Sequence, residues 1–215
     1  MKHIALFDIN MKIGFAIIPE MSFTRQIIDF ESRFHQEGGF SHSLGIDRNL
    51  PHITLFQGEI EDQFDYISMA QSIMKEIKSL SFVHSLKFSK IEYVEKGWYF
   101  LMCDKTELLS TIHNFVLKKI SPYIIFPSVR NLENLEFLTP TQYDAILKYN
   151  YRYAGEAFCP HITIGRSSRR DEVLLQNMNT AFNQFCKTSV ISKITVYKMG
   201  QNGAHEESLY EVNMH

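Results

Sequence analysis

The stretch Pro51-His52-Ile53-Thr54-Leu55 is written twice in this chain, the second time as Pro160-His161-Ile162-Thr163-Ile164. With nine histidines and six prolines in 215 residues, such a shared pattern marks a repeat and not an accident of composition. In each copy histidine and threonine alternate with aliphatic residues, the two-residue period of a β-strand. His52 and Thr54 then share one face, Ile53 and Leu55 the other; His161 and Thr163 separate from Ile162 and Ile164 in the same way. A leading proline suits a strand entrance, where a missing backbone donor costs little. Each copy therefore presents an imidazole and a hydroxyl side by side on an aliphatic anchor. If the two strands are neighbours in one sheet, the histidines face each other across a shared groove.

Outward from the repeats, strands and helices alternate. Lys12 to Ile18 is apolar on both faces, which predicts a central strand, and Pro19 ends it. Phe23, Ile27, Phe30 and Phe34 recur at helical steps behind a Ser22 cap, and Gly38-Gly39 stops that helix. Further helices are expected over Asp62 to Leu80, Leu108 to Ile120 and Asp171 to Cys186. Phe82 to Val94 and Trp98 to Cys103 form a strand pair around Glu95-Lys96-Gly97, and Val190 to Met199 pairs with Ser208 to Met214 around Gly200-Gln201-Asn202-Gly203. Residues 1–10 form an extension or short leading strand. Residues 122–157, with Asn131 to Asn134, Thr139-Pro140 and a cluster of tyrosines, form a long, partly helical insertion suited to a binding loop or lid.

The bulk numbers set limits. A hydrophobic fraction of 45% and a charged fraction of 21% are those of an ordinary globular chain, long enough for one domain with a real core. A formal net charge of −2 argues against gripping a long duplex through its phosphates and favours a single nucleotide or a short piece. Cys103, Cys159 and Cys186 make no CxxC pair and no disulfide framework, which favours a reducing compartment. Asp8, Asn10 and Lys12 interrupt the N-terminus too early for a signal peptide, and no run approaches the ~18 apolar residues of a membrane span. A soluble, cytoplasmic protein is the expectation.

A pair of Pro-His-x-Thr-aliphatic strands, each followed by a helix, resembles the 2H phosphoesterase superfamily of 2′-5′ RNA ligase-like proteins and cyclic nucleotide phosphodiesterases. The likeness covers most of Met11 to Met214, including the opening strand, the Trp98 strand with its helix, and the closing hairpin around Ile194-Thr195-Val196-Tyr197 and Leu209-Tyr210-Glu211-Val212. The resemblance implies an α+β, bilobal fold: two antiparallel sheets with outer helices around a central cleft, related by a pseudo-twofold axis. The whole of 1–215 would be one such domain, with 1–10 and 122–157 as departures from the pattern. It also implies phosphodiester chemistry without a metal or other cofactor, with His52, Thr54, His161 and Thr163 as the catalytic set.

These residue types suit that chemistry. Opening a 2′,3′-cyclic phosphate, or splitting a 2′,5′-linkage, takes a proton from the nucleophile and gives one to the leaving oxygen across phosphorus. An imidazole, with an ordinary pKa of about 6.5, can do either. Two hydroxyls aimed at the non-bridging oxygens stabilise the charge that gathers there. One His-x-Thr alone usually means a hydrogen-bonded pair in a sheet; two in matching contexts favour catalysis, with the order of acid and base left open. Gly165 shares the parity of His161 and Thr163, so the strand is expected to stay bare there for the approach of a phosphate or sugar. Arg166 could bind phosphate, and Tyr151, Tyr153 and Tyr197 could stack a base, although each of these also fits packing at a sheet rim. Cys159 lacks a second ligand at zinc spacing and is read as a small core residue; Ser41-His42-Ser43 lacks a nucleophile elbow, and its histidine is read as solvated. The competing class is a catalytically silent module that binds nucleotides or RNA ends on the same scaffold; a metal-dependent hydrolase stands third.

Overall fold

The computed structural model describes residues 11–80, 85–126, 137–168 and 170–214. The N-terminal extension, the start of the strand expected from Phe82, and the Asn131–Asn134 part of the insertion lie outside the described residues.

Among the described residues seven strands and five helices alternate: β1 (Met11–Pro19), α1 (Met21–Gly38), β2 (Ile53–Ile60), α2 (Tyr66–Ser79), β3 (Ser85–Val94), β4 (Trp98–Cys103), α3 (Glu107–Ile120), α4 (Pro140–Tyr149), β5 (His161–Arg166), α5 (Glu172–Phe182), β6 (Thr188–Met199) and β7 (His205–Asn213). The helix starts carry the expected chemistry at most positions. Asp65, Thr106 and Asp171 each accept from a first-turn amide, and Thr139 forms a capping box with Gln142. At α1 the expectation is off by two residues: Glu20 holds the cap position, and Ser22 sits inside the helix, its hydroxyl donating to the Glu20 carboxylate. Gly39 ends α1 in the left-handed conformation.

Every strand pair is antiparallel, in the order β2-β1-β6-β3-β4-β5, with β7 also on β6. β1 is central, with Ile13 through Ile18 buried. β6 carries β1 along one edge and divides the other between β7, at residues 193–199, and β3, at residues 188–190. Instead of two separate sheets, the short β3–β6 pairing joins four strands (β2, β1, β6, β7) to three (β3, β4, β5) in one forked sheet. One buried apolar cluster runs through both parts, from Phe15 and Phe56 to Phe88 and Ile162. Helices α1 and α5 pack on one side of the joint, α2 and α3 against β6, β7 and β2.

The two repeat strands are not hydrogen-bonded neighbours. They stand at opposite ends of the strand order, and the sheet curls until β2 and β5 approach each other. Right-handed twist accumulated across six strands brings sheet ends together in this way.

Candidate active site

Both repeats carry the same local device. The Nδ1–H of His52 donates to the Leu50 carbonyl at 2.6 Å, and that of His161 donates to the Cys159 carbonyl at 2.7 Å. A carbonyl can only accept, so each neutral imidazole is fixed as the Nδ1–H tautomer with Nε2 holding a lone pair. His52, Thr54, His161 and Thr163 all line a single cavity of about 350 Å³. Burial pushes both imidazoles down to about 4, outweighing the backbone hydrogen bond that acts the other way.

Each repeat also bulges directly after its threonine. Ala16 pairs with Thr54 but Phe15 with Phe56, which leaves Leu55 extra; Phe100 pairs with Thr163 but Tyr99 with Gly165, which leaves Ile164 extra. A bulge reverses the inside–outside parity beyond it. Gln57 and Arg166 therefore turn to the cavity three residues after each threonine. This corrects the reading of Gly165. Its backbone borders the cavity, but the place of its missing side chain is filled by the buried Phe40 ring, so packing and not phosphate access requires glycine there.

Arg166 is held by its Nε–H to the Lys96 carbonyl (3.1 Å), with its guanidinium 5.1 Å from the Trp98 ring. Tyr151 and Tyr153 reach the cavity from the chain after α4. The Tyr151 ring stands edge-on to Phe56, and burial keeps its hydroxyl protonated; the Tyr153 ring meets His161 edge-on at 5.2 Å. Tyr143 is exposed and Tyr149 lies elsewhere, so only part of the tyrosine cluster faces the cleft. Tyr197 is corrected as well: it is fully buried and cannot stack a base. Its ring occupies the space over Gly14 on β1, where a Cβ would collide with it. The Tyr197 oxygen accepts from the Gln57 amide (2.7 Å), and its hydroxyl stands 3.3 Å from His52 Nε2, so it donates to the lone pair there. Burial raises this phenol to about 12 and keeps it a neutral donor.

Several lining residues were not among the sequence candidates: Asn49, Gln57, Trp98, Phe100, Arg152, Asn202 and His205; His42, set aside there as a loop histidine, lines the cavity as well. His161 stacks on Phe100 at 3.7 Å, and Arg152 lies 4.5 Å from the Tyr153 ring. His205 stacks on Tyr197 and gives Nε2–H to Ser208, which donates on to Glu211. The loop bearing His42 is tied to both sides, by Ser41 N–H to the Arg166 carbonyl and Asn49 N–H to the His205 carbonyl. Behind the cleft, buried His113 on α3 donates Nδ1–H to the bulge carbonyl of Leu55 and accepts from Gly155 N–H, both at 2.9 Å, while stacked on Phe158. It pins the segment carrying Tyr151, Arg152 and Tyr153 to the first repeat strand. Among the described residues no group of three or more His, Cys, Asp or Glu side chains is gathered to hold a metal ion, and no helix is long and apolar enough to cross a membrane.

The curled antiparallel sheet with outer helices, its two His-x-Thr strands meeting over one cavity, is a fold shared with solved phosphoesterase structures, as the sequence resemblance anticipated. The solved structures it matches include Escherichia coli LigT, in complexes with 3′-AMP (TM-score 0.54) and with NADP+ (TM-score 0.53), both at 13% identity and covering 95% of this chain and 98% of that one. A phosphoesterase (TM-score 0.51, 14% identity) and TT0787 of Thermus thermophilus (TM-score 0.52, 10% identity) match over the same shares of both chains. At these identities the likeness is one of fold. No protein-family model matches the chain, and no curated protein matches its sequence.

Proposed function

We propose that this protein is a phosphodiesterase acting on 2′,3′-cyclic or 2′,5′-linked nucleotides and short RNA ends by two-histidine acid–base catalysis, without a metal. The observation that carries the reading is the duplicated device: two imidazoles on one cavity, each locked by its own i−2 carbonyl so that Nε2 is the working atom, each beside a threonine hydroxyl. Nε2 of one neutral histidine takes the proton of the attacking water or ribose hydroxyl. Nε2–H of the other, protonated, delivers a proton to the departing oxygen as the P–O bond breaks. Thr54 and Thr163 hydrogen-bond the non-bridging oxygens as charge accumulates on them. Nucleotides bound to LigT, a protein of the same fold, support a nucleotide substrate here.

An anionic phosphate between the rings favours the imidazolium form, offsetting the burial that keeps both histidines neutral in the free protein. The test is turnover of 2′,3′-cyclic mononucleotides and 2′,5′-oligoadenylate in the presence of a chelator. Full activity with chelator is expected. Binding of nucleotide without turnover of any of these substrates would instead identify a silent binding module.

A further inference from the structure

The charge lining the cleft does not match what one phosphodiester needs. The chain is net negative, yet among the described residues no Asp or Glu lines the cavity, whereas Arg152 and Arg166 both do. Neither arginine has a carboxylate partner within salt-bridge distance among the described residues. The two guanidinium groups stand at opposite ends of a row of rings: Arg166 by Trp98 (5.1 Å), Trp98 by Phe100 (6.5 Å), Phe100 by Tyr153 (6.0 Å), and Tyr153 by Arg152 (4.5 Å). His161 stacks on the middle ring, so a phosphate held by the His-x-Thr pairs sits beside the centre of the row. A phosphodiester carries one negative charge against two fixed positive ones, which leaves one cation unmatched in a partly desolvated groove.

Arg152 is also the better built of the two for a separate task. Its segment is anchored on both flanks, by the Tyr151 ring edge-on against Phe56 and by Gly155 N–H to His113, with Ala154 between them fully buried. Its positive charge is felt at His161, where it helps hold the ring neutral.

We infer that Arg152 forms a subsite for a second phosphoryl group of the substrate, one nucleotide away from the phosphate held by the two His-x-Thr pairs. A planar guanidinium takes two phosphate oxygens at once, which a surface lysine cannot do. The second group is either a terminal phosphomonoester or the next phosphodiester of an oligonucleotide. The inference rests on the phosphodiesterase reading for the first phosphate, and its test requires no turnover.

The single tryptophan, Trp98, lies in the row and reports occupancy by its fluorescence. Wild-type protein is titrated with adenosine 3′-monophosphate, adenosine 3′,5′-bisphosphate and a diadenosine nucleotide ending in a 3′-phosphate. The bisphosphate is expected to bind about tenfold tighter than the monophosphate, with the gap shrinking as salt is raised. Arg152→Gln should bring the two Kd values within about threefold, and Arg152→Lys should keep part of the gap, since it retains the charge without the fork. A gain in the dinucleotide arm assigns the next diester of a chain; a gain with the bisphosphate alone assigns a terminal monoester. Equal affinity for mono- and bisphosphate in the wild type, or a gap that survives in Arg152→Gln, overturns the subsite. Failure to turn over cyclic or linked substrates would count against the catalytic reading alone.

Discussion

The two repeats are alike up to the bulge and differ beyond it. Each fixes its histidine through the i−2 carbonyl and steps out of register after threonine, yet the residue then turned to the cleft is Gln57 on one side and Arg166 on the other. The Gln57 amide is consumed internally, by the Tyr197 oxygen and the Gly203 carbonyl, and Tyr197 in turn touches His52. The His52 side is thus a closed hydrogen-bonded network. The His161 side is a stack of rings flanked by two cations. On the proposed phosphodiesterase reading, the duplicated motif keeps what the reaction at phosphorus requires, while its surroundings diverge to suit an asymmetric substrate.

The largest effect should come from breaking both sides alike. His52→Ala and His161→Ala are each expected to lower kcat by about 10³-fold or more with melting temperature little changed, and the double variant should be scarcely worse than either. Near wild-type turnover of a poor-leaving-group substrate by either variant would end the two-histidine reading.

Next in size is pH. With both imidazoles near 4 in the free protein, the form with one ring protonated is most populated near that pH and falls about tenfold per pH unit above it. The kcat/KM profile, which reports the free protein, should therefore peak well below the ordinary histidine range. The kcat profile should peak at higher pH, because bound phosphate stabilises the imidazolium. Coincident peaks near pH 6.5 would show that burial does not govern these rings.

His113→Ala removes the pin between the two sides. The loss of two buried hydrogen bonds and a stacked ring is expected to cost about 2–3 kcal/mol, a drop in Tm of about 5–10 °C. Its pH dependence has a definite sign. Burial lowers His113 to about 4 in the fold against about 6.5 unfolded, so its stabilising contribution is present above pH 6.5 and fades as pH falls towards 4. The gap in stability between wild type and variant should narrow over that window; a constant gap in denaturant melts would refute the assignment.

The smallest effect sharpens the asymmetry itself. Tyr197→Phe removes the hydroxyl that reaches His52, with no counterpart on the His161 side, and should lower kcat about three- to tenfold while shifting one limb of the pH profile. A change confined to KM would place Tyr197 outside the chemistry.

Much of the fold was legible because periodicity and caps carry it: β1, β4, the helix over Glu107–Ile120 and the closing hairpin fall where alternation and turn residues put them. The approach of the two repeat strands was legible only as a consequence of repetition, since the curl that unites the ends of a sheet leaves no local mark. The bulges were invisible for a related reason. A two-residue period carried straight through Thr163 points Gly165 at the cleft, and one extra residue, Ile164, points Arg166 there instead. Tyr197 could have been placed by a different signal: Gly14 in the middle of a central strand marks a large ring packed across it. His42, Arg152 and His205 come from loops and a strand end, where spacing carries no information about direction.

The forked joint at β6 has a consequence for how the protein is made. β6 spans Thr188–Met199, whereas its partners β1 and β3 start at residues 11 and 85, and both His-x-Thr strands are translated before it. On the ribosome the β6-facing edges of β1 and β3 stay unpaired until residues 188–199 have emerged. Such nascent edges invite wrong pairing, and contacts this distant in sequence form slowly. The cleft is then assembled in a late step, after release of the segment that locks the sheet.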